Sequence, residues 1–173
     1  MTTSAVPQAR PGVVDQRTFR DVVGHFGTGV TVITALGAEG PLGFTCQSFS
    51  SLSLDPPLVT FSPARTSSSW PRIRRVGRFT INILSAGNEV LSTTFARSGV
   101  DRFAGVEWTV SPNGSPRLPG ILASLDCDLQ AEHDGGDHTI VVASVQGLGI
   151  HRSGDPLLFY RGRYLQLEPD PAT

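Results

Sequence analysis

Glycine and proline punctuate this chain throughout. Nineteen glycines and thirteen prolines are spread over 173 residues instead of being gathered in one linker, and β-branched runs lie between them. Inside a helix, each glycine costs about 1 kcal/mol and each proline about 3 kcal/mol. Long helices are therefore disfavoured, and short strands with frequent turns point to an all-β barrel or sandwich with a few helices. The length suits one domain with its own core.

Local patterns predict the elements. Asp15 is a fair N-cap, and Phe19, Val22, Val23 and Phe26 fall at i, i+3, i+4 and i+7, an amphipathic helix ended by Gly27 and Gly29. GVTVITAL (29–36) alternates as a strand with one face in the core. The turn Ala38-Glu39-Gly40-Pro41 folds it back onto a strand from Leu42 to Phe49. Asp55-Pro56-Pro57 precedes a third strand, Leu58 to Ser62, and Pro71 sits early in a helix reaching Val76. Arg78 to Leu84 is a strand, Glu89 to Arg97 a helix, and 98–120 an irregular stretch. Leu122–Glu132 and Thr139–Ile150 are long strands joined by Asp134-Gly135-Gly136-Asp137, and Leu157–Leu167 is the last. About seven strands and three short helices favour a Greek-key β-barrel, because closing the sheet removes exposed edges.

Charge excludes some functions. Fourteen basic and fifteen acidic residues give a net charge of −1, with no basic face for nucleic acid. The apolar stretches are too short to span a membrane. Residues 1–15 lack an apolar signal-peptide core and read as a disordered tail before a domain at 16–168, with a second tail at 169–173. Cys46 and Cys127 lie far apart, as expected of reduced thiols in a cytoplasmic protein.

Three segments could carry chemistry. Gly43 to Pro57 is rich in Ser, Thr, Cys, Gln and Asp, yet it sits between apolar strands. Its polar groups either face solvent or meet a ligand rich in donors and acceptors. Thr66-Ser67-Ser68-Ser69 opens the helix carrying Trp70, with Arg65 and Arg72 beside it. One serine there could simply cap the helix, or the group could receive a phosphate. His133-Asp134-Gly135-Gly136-Asp137-His138 invites a metal reading, but no motif supplies a third ligand. The alternatives are an exposed turn histidine and one at a pocket rim. GxGxxG, P-loop, HExxH and GxSxG motifs are absent, so a bound nicotinamide would not sit in a Rossmann domain.

In order and spacing these segments resemble the flavin reductase components of two-component flavin-dependent monooxygenases, proteins of the FMN-binding split-barrel fold. The resemblance covers residues 16 to 168. It rests on Phe19-Arg20 with GTGVTVIT (27–34), GFTCQSFSSLSLDPPLV (43–59), SSSW (67–70), GRFTINIL (77–84), DRFAG (101–105), GDH (136–138) and FYRGRY (159–164). The likeness is strongest to reductases serving aromatic or steroid-degrading hydroxylases, and extends to those of antibiotic pathways.

The resemblance implies that Gly43, Phe44, Thr45, Gln47 and Ser48 lie along the isoalloxazine and ribityl chain. It puts Ser62, Pro63, Ala64, Ser68 and Ser69 at the ribityl phosphate, with Arg65 or Arg72 as a nearby cation. Thr94 and Phe95 would approach the adenine of FAD. His138 would orient the nicotinamide, with Phe159, Tyr160, Arg161 and Gly162 also at that site. The implied protein is a homodimer that reduces dissociable FMN or FAD and supplies a separate monooxygenase. NADH is expected over NADPH, since no basic pocket for a 2′-phosphate stands out. The rival is a split-barrel protein that keeps its flavin, as an oxidase-like enzyme or a carrier.

Overall fold

The computed structural model describes residues 14–167. Most of the two expected tails, 1–13 and 168–173, lies outside the described residues.

Helix α1 (Gln16–Val23) begins where Asp15 accepts from the N–H groups of Arg17 and Thr18, as its cap spacing requires. It stops at Val23, earlier than Gly27, and Gly24 closes it. Its apolar face is not buried: Phe19, Val22, Val23 and Phe26 are 55%, 65%, 47% and 77% exposed. The expected pattern is present, but nothing within the described chain covers it.

After the short β1 (Thr28–Gly29), β2 (Thr31–Gly37) and β3 (Gly40–Cys46) form the expected hairpin. Gly40 takes φ 124°, a region that excludes side chains. β2 differs from the one-faced expectation, because Thr31 to Ala35 are all buried. Ile33 and Ala35 enter one core while Val30 and Val32 enter another, so both faces of the sheet are covered here. The polar segment after β3 contains a further strand, β4 (Ser50–Leu54), followed by β5 (Pro57–Phe61). A bulge between Ser51 and Ser53 disrupts its alternation, which hides it from a period-two reading.

Helix α2 (Trp70–Val76) carries Pro71 in its first turn and ends at Gly77 with φ 77°. β6 (Arg78–Ile83), a 3₁₀ turn (Ala86–Asn88) and α3 (Glu89–Ala96) follow. The stretch 98–120 is mostly turns but includes a ribbon of β7 (Thr109–Val110) and β8 (Pro116–Arg117). β9 (Ala123–Gly135) and β10 (His138–Ile150) form the long hairpin. The expected last strand is itself a hairpin, β11 (Leu158–Tyr160) and β12 (Arg163–Leu165). It turns through Arg161 at φ 49° and Gly162 at φ 81°.

The main sheet is antiparallel with order β3-β2-β6-β9-β10-β5-β4, so it is open, not closed. β3 and β4 are consecutive but stand at opposite ends of it. Between them Ser48 replaces the missing backbone pairing: its Oγ accepts from Ser62 N–H at 2.7 Å. A side chain thus does locally what a strand ladder would have done, and a gap remains beside it. Inside the curved sheet Phe44, Phe61, Trp70 and Phe79 pack edge to face, with ring centroids 5.3–6.5 Å apart.

Candidate functional site

The gap between the ends of β3 and β5 opens into a cavity of about 480 Å³, within the usual range for small-molecule sites. One wall is Phe44, Thr45, Cys46, Gln47 and Ser48 from β3 and the turn after it. Ser62, Pro63 and Ala64 supply the second, Thr66 to Ser68 the third, and Phe95 of α3 a fourth. Most of the residues expected at a flavin are therefore brought together, although 33 residues of sequence separate some of them from others.

The hydroxyl cluster divides its work. Ser67 Oγ accepts from Trp70 N–H at 3.2 Å and so starts α2. Ser69 is buried and donates to Gly43 carbonyl at 3.1 Å, tying α2 to β3 behind the cavity wall. Thr66 and Ser68 face the cavity and make no side-chain hydrogen bond among the described residues. The capping and ligand readings thus apply to different members of one run.

Neither expected arginine is the cation of this cavity. Arg72 pairs with Glu39 at 3.0 Å, and Arg65 with Asp134 at 2.6 Å. The cationic side chain on the lining is Arg102. Its Nη1 donates to Gly43 carbonyl at 2.9 Å and to Ser69 Oγ, while Nε donates to Arg97 carbonyl at 2.6 Å. Partial burial lowers its pKa from the ordinary value, as expected of a cation with part of its water removed. Sequence reading passed over it, although Arg102 lies in the DRFAG run (101–105).

His138 reaches the rim because the β9–β10 hairpin docks there. Thr139 N–H donates to Pro63 carbonyl, Arg65 N–H donates to Asp137 carbonyl, and Ala64 and His138 form a bridge. Its Nδ1 lies 2.7 Å from Asp137 Oδ1, while Nε2 has no hydrogen-bond partner among the described residues. The hydrogen bond to His138, then its charge, lowers the Asp137 pKa. His133 pairs across the ladder from Ile140 and is not on the cavity lining.

Other expected residues lie elsewhere. Gly43 is a packing position: a Cβ there would come within 2.6 Å of Phe95 Cε1. Thr94 Oγ1 donates to Val90 carbonyl within its own helix. Phe159 to Gly162 sit on the small sheet β1-β11-β12 beside α1, where Arg161 N–H donates to Gly24 carbonyl. Within one chain these four do not reach the cavity. Burial raises the Cys46 thiol pKa and pushes Cys127 up to about 12, so neither is poised as a nucleophile.

Comparison with known proteins gives this arrangement a context. A family model described as a flavin reductase like domain matches residues 23–168. The chain is 50% identical over 157 residues to the reductase subunit HsaB of a flavin-dependent monooxygenase from Rhodococcus jostii (strain RHA1), covering 91% of this chain and 80% of that protein. It is 47% identical over 154 residues to the FMN reductase (NADH) SmoA of Agrobacterium fabrum (strain C58), covering 89% and 87%. Among solved structures, the NADH:FAD oxidoreductase SgcE6 of Streptomyces globisporus C-1027, in complex with NAD and FAD fragments, superposes with a TM-score of 0.85 at 35% identity. That match covers 92% of this chain and 99% of the other. The chain belongs to the flavin reductase-like family.

Proposed function

We propose that this protein is an NADH-dependent flavin reductase that reduces FMN or FAD and supplies the free reduced flavin to a separate monooxygenase. The observation that carries this reading is the composition of the cavity wall. Gln47, Thr66, Ser68 and Ser98 bring polar groups without protein partners, Arg102 brings one cation, and Phe44, Pro63, Ala64 and Phe95 bring apolar surface. A flavin asks for that mixture: a flat apolar ring, a hydroxylated chain and a phosphate.

Residue by residue, Phe44, Thr45, Gln47 and Ser48 would line the ring. Ser62, Pro63, Ala64 and Ser68 would face the ribityl phosphate, with Arg102 as its cation. Ser69 and Gly43 act from behind, holding α2 and β3 together. When bound, the flavin supplies the hydride acceptor, and the reduced nicotinamide is the donor. The protein's part is to hold the two rings within reach and exclude alternatives. Asp137 fixes the His138 ring through Nδ1, which leaves Nε2 free to orient a nicotinamide. No acid–base pair is required of the protein.

The finer fold description is the FMN-binding split barrel, formed by one domain at 16–168 with short tails. We also infer a homodimer. A second groove of about 640 Å³, lined in part by Phe26, Phe49, Ile83 and Leu84, shares Gln47 and Ser48 with the flavin cavity. A second copy seated on it and on the exposed face of α1 would bring further residues close to the flavin, with Phe159, Tyr160, Arg161 and Gly162 as candidates for the nicotinamide side. No helix among the described residues is long and apolar enough to cross a membrane, in keeping with a cytoplasmic site of action.

The test is direct. Purified protein should oxidise NADH rapidly only when free FMN or FAD is added, and should lose flavin on dialysis. Stoichiometric flavin that survives dialysis, with no turnover of added flavin, would refute the reductase reading.

A further inference from the structure

A second cavity, of about 500 Å³, lies beside the first and shares Gly43, Ser69 and Arg102 with it. These three residues are bonded to one another and form the partition: Arg102 Nη1 donates to the Gly43 carbonyl and to Ser69 Oγ, and Ser69 Oγ donates to the same carbonyl. Arg102 therefore belongs to both cavities at once, and Nη2 has no hydrogen-bond partner among the described residues. The second cavity differs in character from the first. Its wall includes the aromatic side chains of Phe103 and Trp108, which meet edge to face at 6.4 Å, and the carboxylates of Glu39 and Asp101. Trp108 is half-buried, so its ring is supported by the fold yet reachable.

Resting on the flavin reading above, we infer that this second cavity receives the adenosine arm of FAD. With the ribityl phosphate at Ser68 and Arg102, only a dinucleotide flavin has atoms that continue past the arginine. The pyrophosphate lies at the partition, where Arg102 is the charge-assisted donor. The neutral adenine stacks on Trp108, an arrangement that uses the π-face of the base. Glu39 and Asp101 would repel a phosphate, but they are suitable acceptors for the adenine amino group. FMN ends at Arg102 and leaves the cavity empty. The cavity is then what distinguishes FAD from FMN in this chain.

The experiment is equilibrium titration of FAD and FMN, read by flavin fluorescence, against the parent protein and the Trp108→Leu and Trp108→Phe variants. Trp108→Leu should weaken FAD by roughly five- to hundredfold, the range of aromatic–base stacking, and leave FMN unchanged. Trp108→Phe should retain most of the FAD affinity. Equal affinities in all three proteins, or equal losses for both flavins, would overturn the inference. If Trp108→Leu does not fold, Asp101→Asn and Glu39→Gln decide: a loss for FAD alone supports the site, and no selective loss overturns it. Failure of the parent to bind FMN at all would instead refute the flavin reading itself.

Discussion

Two sets of polar side chains in this molecule are made of the same residue types and have opposite surroundings. In the sheet interior Thr34, Thr80, Asn82 and Asp126 are buried and bonded to one another or to backbone. Asn82 alone donates to Val32 carbonyl and Thr34 Oγ1 and accepts from Leu118 N–H. At the cavity, Gln47, Thr66, Ser68 and Ser98 have no such partners. A satisfied buried group specifies the fold, because losing any member strands the rest. An unsatisfied group at a concave surface contributes nothing to folding and is free to serve a ligand. Hydroxyl chemistry alone therefore does not mark a site, but hydroxyls without protein partners at a cavity do.

The contrast predicts a graded set of outcomes. Asn82→Leu should cost the most, about 2–5 kcal/mol of stability in a denaturant melt, because it leaves several interior groups unpaired. A loss under 1 kcal/mol would mean that the interior network is not structural. Arg102→Met should weaken FMN binding by about 1.5–3 kcal/mol while leaving riboflavin, which has no phosphate, nearly unaffected. Parallel losses for both ligands would make Arg102 a wall brace and not a phosphate group. Ser68→Ala should leave stability within about 0.5 kcal/mol and weaken FMN two- to tenfold, roughly one hydrogen bond. A clear drop in melting temperature would move Ser68 into the interior class.

The smallest effect belongs to the hairpin tip. Its hydrogen bond from Arg65, followed by one from Gly136 N–H, lowers the Asp134 pKa below the unfolded value. A depressed carboxylate stabilises the fold above its unfolded pKa, near 3.9, and that contribution is lost as pH falls through the folded value. Melting temperature measured from pH 6 to 2 should therefore fall in the acid limb. Asp134→Asn should flatten that limb slightly without altering the melt at pH 6 to 7 by more than an exposed pair is worth, about 1 kcal/mol or less.

Much of this was legible because local chemistry decides it. Asp15 caps α1, Pro71 opens α2, and Gly135-Gly136-Asp137 turns the long hairpin, each through contacts within a few residues. The candidate site was legible where a run of sequence is also a run of cavity wall, as at 44–48 and 62–64. Arg102 was not, because its key acceptor, the Gly43 carbonyl, lies 59 residues away. The open sheet was not legible either. Whether β3 meets β4 depends on Ser48 pairing with Ser62, and that contact has no counterpart in local pattern. Arg161 in a left-handed turn hid the last hairpin, since a glycine is the usual signal there.

The bare apolar face of α1 has a consequence for how the protein is handled. Eight residues are too few for a helix to persist on its own hydrogen bonds, and no α1 side chain is buried in the described chain. Whatever covers that face thus supplies most of the free energy that keeps the segment folded. If the cover is a second copy, mass action enters: dilution removes the cover, frays the helix and opens the groove that borders Gln47 and Ser48. Specific activity then becomes a function of protein concentration, and a dilution series that bends downward would reflect assembly, not inactivation.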